Sequence, residues 1–135
     1  MKPLLKDIIC DEFQITVSEL LVVSRSILDL LGRLQEISAR LTRYLTRAAT
    51  SCGCIKITAC KQDLPAEVPY SELKSLLDTH ISGQLCENCR ENIETCLGQM
   101  LFYLAAICNH LDLNLYDILL KEYKQMKLLG HYKLA

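Results

Sequence analysis

Apolar positions along this chain recur mostly every three or four residues, the period of a helix buried on one face. Val23, Ile27, Leu30, Leu34, Ile37, Leu41 and Tyr44 form one seam, and Leu20, Leu21, Leu28, Leu31 and Leu45 add a second row beside it. Thr16-Val17-Ser18-Glu19 has the form of a capping box, in which the hydroxyl and the carboxylate each satisfy a free amide of the first turn. The pattern therefore predicts a long helix over 16–49, divisible at Gly32. Unbroken, it would measure about 50 Å at 1.5 Å per residue. An apolar stripe this wide must be covered over its whole width, which predicts a homo-oligomer through the long helix. The opposite face carries Arg25, Arg33, Arg40, Arg43 and Arg47. These arginines read first as a solvated face and second as a surface for phosphate, which Arg binds in bidentate fashion.

The helical period stops in the cysteine-containing stretch 50–70. Cys54-Ile55-Lys56-Ile57-Thr58-Ala59-Cys60 alternates and is rich in β-branched residues, so it predicts one short extended segment. Such a strand needs a partner, either its symmetry mate in a dimer or a metal that holds it in place. Pro65 and Pro69 bound a loop, a short helix follows over 71–80, and Ser82-Gly83 reads as a turn. Ile93, Leu97, Met100, Leu101, Leu104, Ile107, Cys108 and Leu111 predict a helix over 88–110. Asn114 is placed to cap a last helix over 114–129, stopped by Gly130. His80, His110 and His131 fall at helix C-termini, where a cation suits the dipole. The expected architecture is all-α, one domain over 1–135, with one short extended segment and a cysteine-rich knuckle.

Composition supports helices. Half of the 135 residues are hydrophobic, yet there is no Trp and only two Phe, so the core must be built of Leu and Ile. With 15 basic and 16 acidic side chains the net charge is −1, and no basic field favours nucleic acid. No apolar run approaches the roughly 18 residues that would span a bilayer, so no membrane partner is expected. Residues 1–30 lack a basic segment followed by an apolar core, which predicts a cytoplasmic protein.

In a reducing compartment the eight cysteines become the most informative feature. Six fall in two clusters, Cys52-Gly53-Cys54 with Cys60 and Cys86-Glu87-Asn88-Cys89 with Cys96. Sulfurs two or three residues apart can occupy two corners of one tetrahedron, each about 2.3 Å from a zinc ion. Two such pairs complete a site, so Cys52, Cys54, Cys86 and Cys89 are the predicted ligands of a structural zinc, with Cys60 and Cys96 in reserve. The same spacing is open to two other readings, buried free thiols and a disulfide. Iron in place of zinc would make the site an iron–sulfur or thiol redox sensor. Cys108 and His110 do not form a nucleophilic pair, since residues two apart on a helix point apart. The chain has no glycine-rich phosphate loop and no GxSxG elbow.

The stretch Leu97-Gly98-Gln99-Met100-Leu101-Phe102-Tyr103-Leu104, continuing through Asn114-Leu115-Tyr116-Asp117-Ile118-Leu119, resembles the MazG-like all-α nucleoside triphosphate pyrophosphohydrolases. In that family an LGD-LFYL-type helix precedes a helix ending in lysines, here Lys121, Lys124 and Lys127. The resemblance implies a MazG-like helical bundle and a possible nucleotide ligand. The family's EExxE and ExxD carboxylates hold magnesium on the triphosphate, and magnesium demands hard oxygen ligands. This chain departs from that pattern. Gln99 and Cys96 stand at the ExxD positions, and Gln35-Glu36-Ile37-Ser38-Ala39 keeps only Glu36 of EExxE. Glu91 and Glu94 offer a displaced acidic pair, although acids also suit a first helical turn for its dipole alone. The expected function is a metal-binding, non-catalytic interaction or nucleotide-binding module. The alternative is a magnesium-dependent pyrophosphohydrolase using Glu36, Glu91 and Glu94.

Overall fold

The computed structural model describes residues 3–23 and 25–130, with the side chains of 3–7 and 70 outside the description. Among the described residues it has five helices and a two-stranded sheet: α1 Pro3–Leu20, α2 Ile27–Arg47, a single π turn Ala48–Cys52, β1 Ile55–Ile57, α3 Tyr70–Leu76, β2 Ile81–Gly83, α4 Glu87–His110 and α5 Leu115–Leu129. None of the described helices is long and apolar enough to cross a membrane. His131 lies outside the described residues.

The helix expected over 16–49 is in fact two helices. α1 runs from Pro3 through the Thr16-Val17-Ser18-Glu19 stretch. That stretch is therefore interior, and the Ser18 hydroxyl donates to the Ile15 carbonyl at 2.6 Å. The chain breaks between Leu20 and Ile27, not at Gly32, because the β-branched pair Val22-Val23 is followed by a true cap at Ser26. The Ser26 hydroxyl accepts from the Leu28 amide at 3.3 Å, and its carbonyl accepts from Leu30 at 3.0 Å.

Two further sequence expectations shift. The helix expected over 71–80 stops at Leu76, because Leu77 is extended and His80 takes a left-handed φ of 63°. Ser82-Gly83 is not a turn but most of β2, which pairs antiparallel with β1 in the register Ile55↔Gly83, Lys56↔Ser82 and Ile57↔Ile81. The strand thus finds its partner in its own chain. The two C-terminal helices lie within a residue of the expected 88–110 and 114–129.

The chain divides into two compact units, 1–39 with 96–135, and 40–95. In the first unit Val17, Leu30, Ala105 and Ala106 are buried together, with Leu21, Ile27, Phe102, Tyr103, Ile107 and Leu115 packed on them. Small side chains on α4 let large ones approach closely, which is how Ala105 and Ala106 serve a core otherwise filled by Leu and Val. The buried Cys96 and Cys108 are core residues of α4, and burial pushes the Cys108 thiol up from its usual range.

The turn from α4 to α5 is closed by hydrogen bonds. Asp112 takes the left-handed position at φ 56°, and the Leu113 amide reaches back to the Cys108 carbonyl at 2.9 Å, a Schellman closure without glycine. Asn114 caps α5 by accepting from the Asp117 amide at 2.9 Å. Gln14, only 8% exposed, ties α1 to this turn. Its amide nitrogen donates to Asn109 Oδ1 at 2.9 Å and to the Leu113 carbonyl at 2.7 Å, while its oxygen accepts from the Leu115 amide at 2.8 Å.

Gln14 is the buried member of this network, so removing its amide leaves Asn109 Oδ1 and the Leu115 amide, both half-buried, without that partner. Gln14→Leu is expected to destabilise the protein by about 2 kcal/mol or more, since each buried group left without its partner costs about 1–3 kcal/mol. Thermal or urea unfolding monitored by circular dichroism measures it, and an unchanged midpoint would refute the role given to this network.

Candidate metal centre

Four cysteines converge in the unit 40–95: Cys52, Cys54, Cys86 and Cys89 bring their sulfurs within 4.8 Å of one another. Two local devices supply each pair. On the first side, the π turn Ala48–Cys52 ends at Gly53, whose φ of 80° favours glycine and whose amide closes onto the Ala48 carbonyl at 2.8 Å. This reversal lets Cys52 and Cys54 face one point just before β1 begins. On the second side, Cys86 sits immediately before α4 and acts as its N-cap. Its carbonyl accepts from the Arg90 amide at 2.9 Å, and its sulfur accepts from the Cys89 amide at 3.4 Å. The helical turn then carries Cys89 round to the same side.

The sheet register brings the two halves together. The antiparallel pair Ile55↔Gly83 closes the ribbon next to both segments, so the π turn that carries Cys52 meets the start of α4 that carries Cys86. Their sulfurs are 3.7 Å apart, close to the roughly 3.8 Å that separates two corners of a tetrahedron with 2.3 Å metal–sulfur bonds. Close approach of the backbones is needed for this. A Cβ on Gly83 would lie 2.7 Å from the Cys54 carbonyl oxygen, and Gly83 has a φ of 88°.

The electrostatics of the cluster are those of a site prepared for a cation. The Cys89 amide and the neighbouring thiols hold the Cys86 thiol down to about 7, as expected for a sulfur at a helix N-terminus. The same neighbours push Cys89 up to about 12, Cys86 foremost, and Cys86 likewise raises Cys52. Four thiols this close cannot all ionise without a counter-charge. A divalent ion would provide that charge by displacing the protons, and its affinity would then rise with pH and fall as Cys86 is protonated below about 7.

The two reserve cysteines lie elsewhere. Cys96 is buried, 1% exposed, in the core of α4. Cys60 belongs to a different group, with Asp78 and His80. All eight cysteines are free thiols, so the disulfide reading is not realised. Of the acids, Glu36 is exposed on α2 and pairs with Arg33 at 3.6 Å, and Glu91 and Glu94 are exposed on α4. Among the described residues, neither group of converging ligands contains any of these three acids. The side chains of Arg33, Arg40, Arg43 and Arg47 are exposed, as a solvated face requires. Sequence reasoning missed the contribution of Asp78 and His80, which no short-range spacing announces.

Gly83→Ala should disrupt the cluster, because the added methyl meets backbone and the residue is strained at positive φ, a cost of about 1–3 kcal/mol. The expected result is weaker metal binding at the four thiols with the helical content retained. Metal titration alongside circular dichroism measures both, and unchanged affinity would show that the close approach at Gly83 does not position the site.

No protein-family model, no curated protein and no solved structure matches this chain.

Proposed function

We propose that this protein is a zinc-binding helical module of MazG-like type that works in the cytoplasm as a homo-oligomer, binding a partner or a nucleotide without catalysis. One observation carries the metal assignment: four sulfurs from two segments far apart in sequence converge within 4.8 Å. Four thiolates and no vacant position are the donor set of a structural zinc site. Zinc coordination would become folding free energy, about 10–16 kcal/mol for comparable small sites at neutral pH.

The non-catalytic reading is supported by chemistry at two positions. Gln99 cannot supply a carboxylate, and its Oε1 is buried without a hydrogen-bond partner. Cys96, at the other position of the ExxD pattern, is buried in the core. Magnesium on a triphosphate would need hard oxygen donors that these side chains do not offer. Self-association is supported by the apolar surface of the helices. Leu28 is 77% and Leu31 46% exposed on α2, and α5 exposes Leu119 and Leu128 at 57% and 84%. Monomeric proteins rarely leave so many large apolar side chains of neighbouring turns uncovered.

A second reading, thiol redox sensing, is favoured by the pairing of a Cys86 thiol held near 7 with the Cys52 sulfur 3.7 Å away. A thiolate beside a thiol is poised for oxidation to a disulfide.

Elemental analysis of anaerobically purified protein separates these readings. One tightly held zinc at the four thiols is expected, lost from that site in Cys86→Ser/Cys89→Ser, with no pyrophosphate released from nucleoside triphosphates in magnesium. Stoichiometric iron with visible absorbance would transfer the site to iron–sulfur chemistry. A metal-free protein that forms a Cys52–Cys86 disulfide under mild oxidation would establish the redox reading instead. Turnover lost in Glu36→Gln or Glu94→Gln would restore the hydrolase.

For assembly, Leu31→Glu is the informative variant, because Leu31 is already exposed in the single chain and the fold does not depend on its burial. The unmutated protein should scatter light as a dimer or larger at micromolar concentration and the variant as a monomer. A monomeric unmutated protein would reject the oligomer.

A further inference from the structure

The β1–β2 ribbon has two ends, and only one is occupied by the four thiols. At the other end, the segments that leave β1 and enter β2 bring Thr58 beside His80 and Cys60 beside Asp78. The Thr58 amide does donate to the His80 carbonyl at 2.9 Å, so the ladder continues past β1. Cys60, Asp78 and His80 then bring one sulfur, one carboxylate oxygen and one ring nitrogen within 4.8 Å of one another.

Each donor is held by its neighbours. The two oxygens of Asp78 are divided, Oδ1 accepting from the His80 amide at 3.0 Å and Oδ2 lying 3.9 Å from Cys60 Sγ. The Gln62 side chain clamps the Asp78 backbone from both sides, its nitrogen donating to the carbonyl at 2.6 Å and its oxygen accepting from the amide at 3.1 Å. The same amide nitrogen lies 3.1 Å from His80 Nε2. His80 itself sits at φ 63°, a left-handed conformation that a non-glycine residue keeps only when its surroundings impose it.

We propose that Cys60, Asp78 and His80 form a second metal site, for a divalent cation of the zinc class. A thiolate, an imidazole and one carboxylate are borderline donors that suit zinc, and poorly suit magnesium or calcium, which want oxygen alone. Three protein ligands leave a fourth position, and Cys60 and Asp78 are both exposed, so that position opens to water or to an exogenous ligand. Gln62 supports the site through the Asp78 backbone, while its N–H at His80 Nε2 must give way when the imidazole binds a metal, because an amide nitrogen only donates and so occupies a ring lone pair. The site uses none of the residues of the four-thiol cluster, although both lie on the same short ribbon.

The test is zinc stoichiometry at saturation, by dialysis and elemental analysis, on the full chain and two variants. Two equivalents are expected for the unmutated protein, one for Cys60→Ser/His80→Ala, and one for Cys86→Ser/Cys89→Ser. Retention of both equivalents in Cys60→Ser/His80→Ala, or a second equivalent never taken up, overturns the proposal. Loss of nothing in Cys86→Ser/Cys89→Ser counts against the four-thiolate centre alone, so the two failures are distinguishable. Cadmium NMR of the unmutated protein gives a readout free of any folding defect. Two resonances are expected, one strongly deshielded by four sulfurs and one from mixed nitrogen, oxygen and sulfur ligands, and the absence of the mixed-ligand signal refutes the second site.

Discussion

A ribbon of three residue pairs is the constraint on which the unit 40–95 depends. Two strands this short are at best marginal in water, because the hydrogen bonds gained do not offset the entropy of closing the chain between them. Here that chain is long, leaving β1 at Ile57 and returning at Ile81. The register brings residues far apart in sequence face to face, and at both ends of the ribbon these residues carry ligand atoms. Metal coordination at the two proposed sites would act where the ribbon is weakest, at its ends. Gly83 is the matching backbone requirement, since only a residue without Cβ lets β2 pass so close to the Cys54 carbonyl.

The other unit is held by a different means. Its core is small, with Leu30 and Val17 its largest fully enclosed members apart from Cys96. What fixes the α4–α5 turn is polar: Gln14 and Asn109 exchange hydrogen bonds, and Asn109 Nδ2 donates to the Gln14 carbonyl at 3.0 Å. Satisfied amides of this kind specify one arrangement more sharply than Leu against Leu, because every alternative leaves a buried donor or acceptor unpaired. Apolar rows are left outside this core, Leu28 and Leu31 on α2 among them.

The four-thiolate cluster was legible in the sequence because ligand pairs two or three residues apart are a local signal, and local spacing survives whatever the rest of the chain does. The C-terminal helices were legible for the same reason, with Asn114 and Gly130 marking the limits of α5. The N-terminal break was not. Thr16 and Glu19 satisfy the capping pattern, yet α1 already supplies their turn with partners, so the motif has nothing left to cap. The real cap, Ser26, carries no glutamate three residues on, where Asp29 stands instead. β2 escaped because Ile81-Ser82-Gly83 is too short for alternation to register and ends in a residue usually read as a turn. Asp78 and His80 escaped because their partner Cys60 is linked to them only through the strand register, which exists once the fold does.

The placement of sulfur in this chain follows a physical division. Cys96 and Cys108 are enclosed among apolar side chains, where a thiol behaves as a small hydrophobe and burial holds its proton. Cys86 has the same side chain at a helix N-terminus, where an amide donor and the macrodipole favour the thiolate. Environment, not residue type, separates a core cysteine from a ligand. The separation is visible along one helix, whose cap is Cys86, whose first turn holds Cys89, and whose later turns bury Cys96 and Cys108. A chain that reads as cysteine-rich throughout thus gathers its four converging thiols where a backbone amide and neighbouring donors make ionised sulfur favourable, and uses the buried thiols of α4 to fill space.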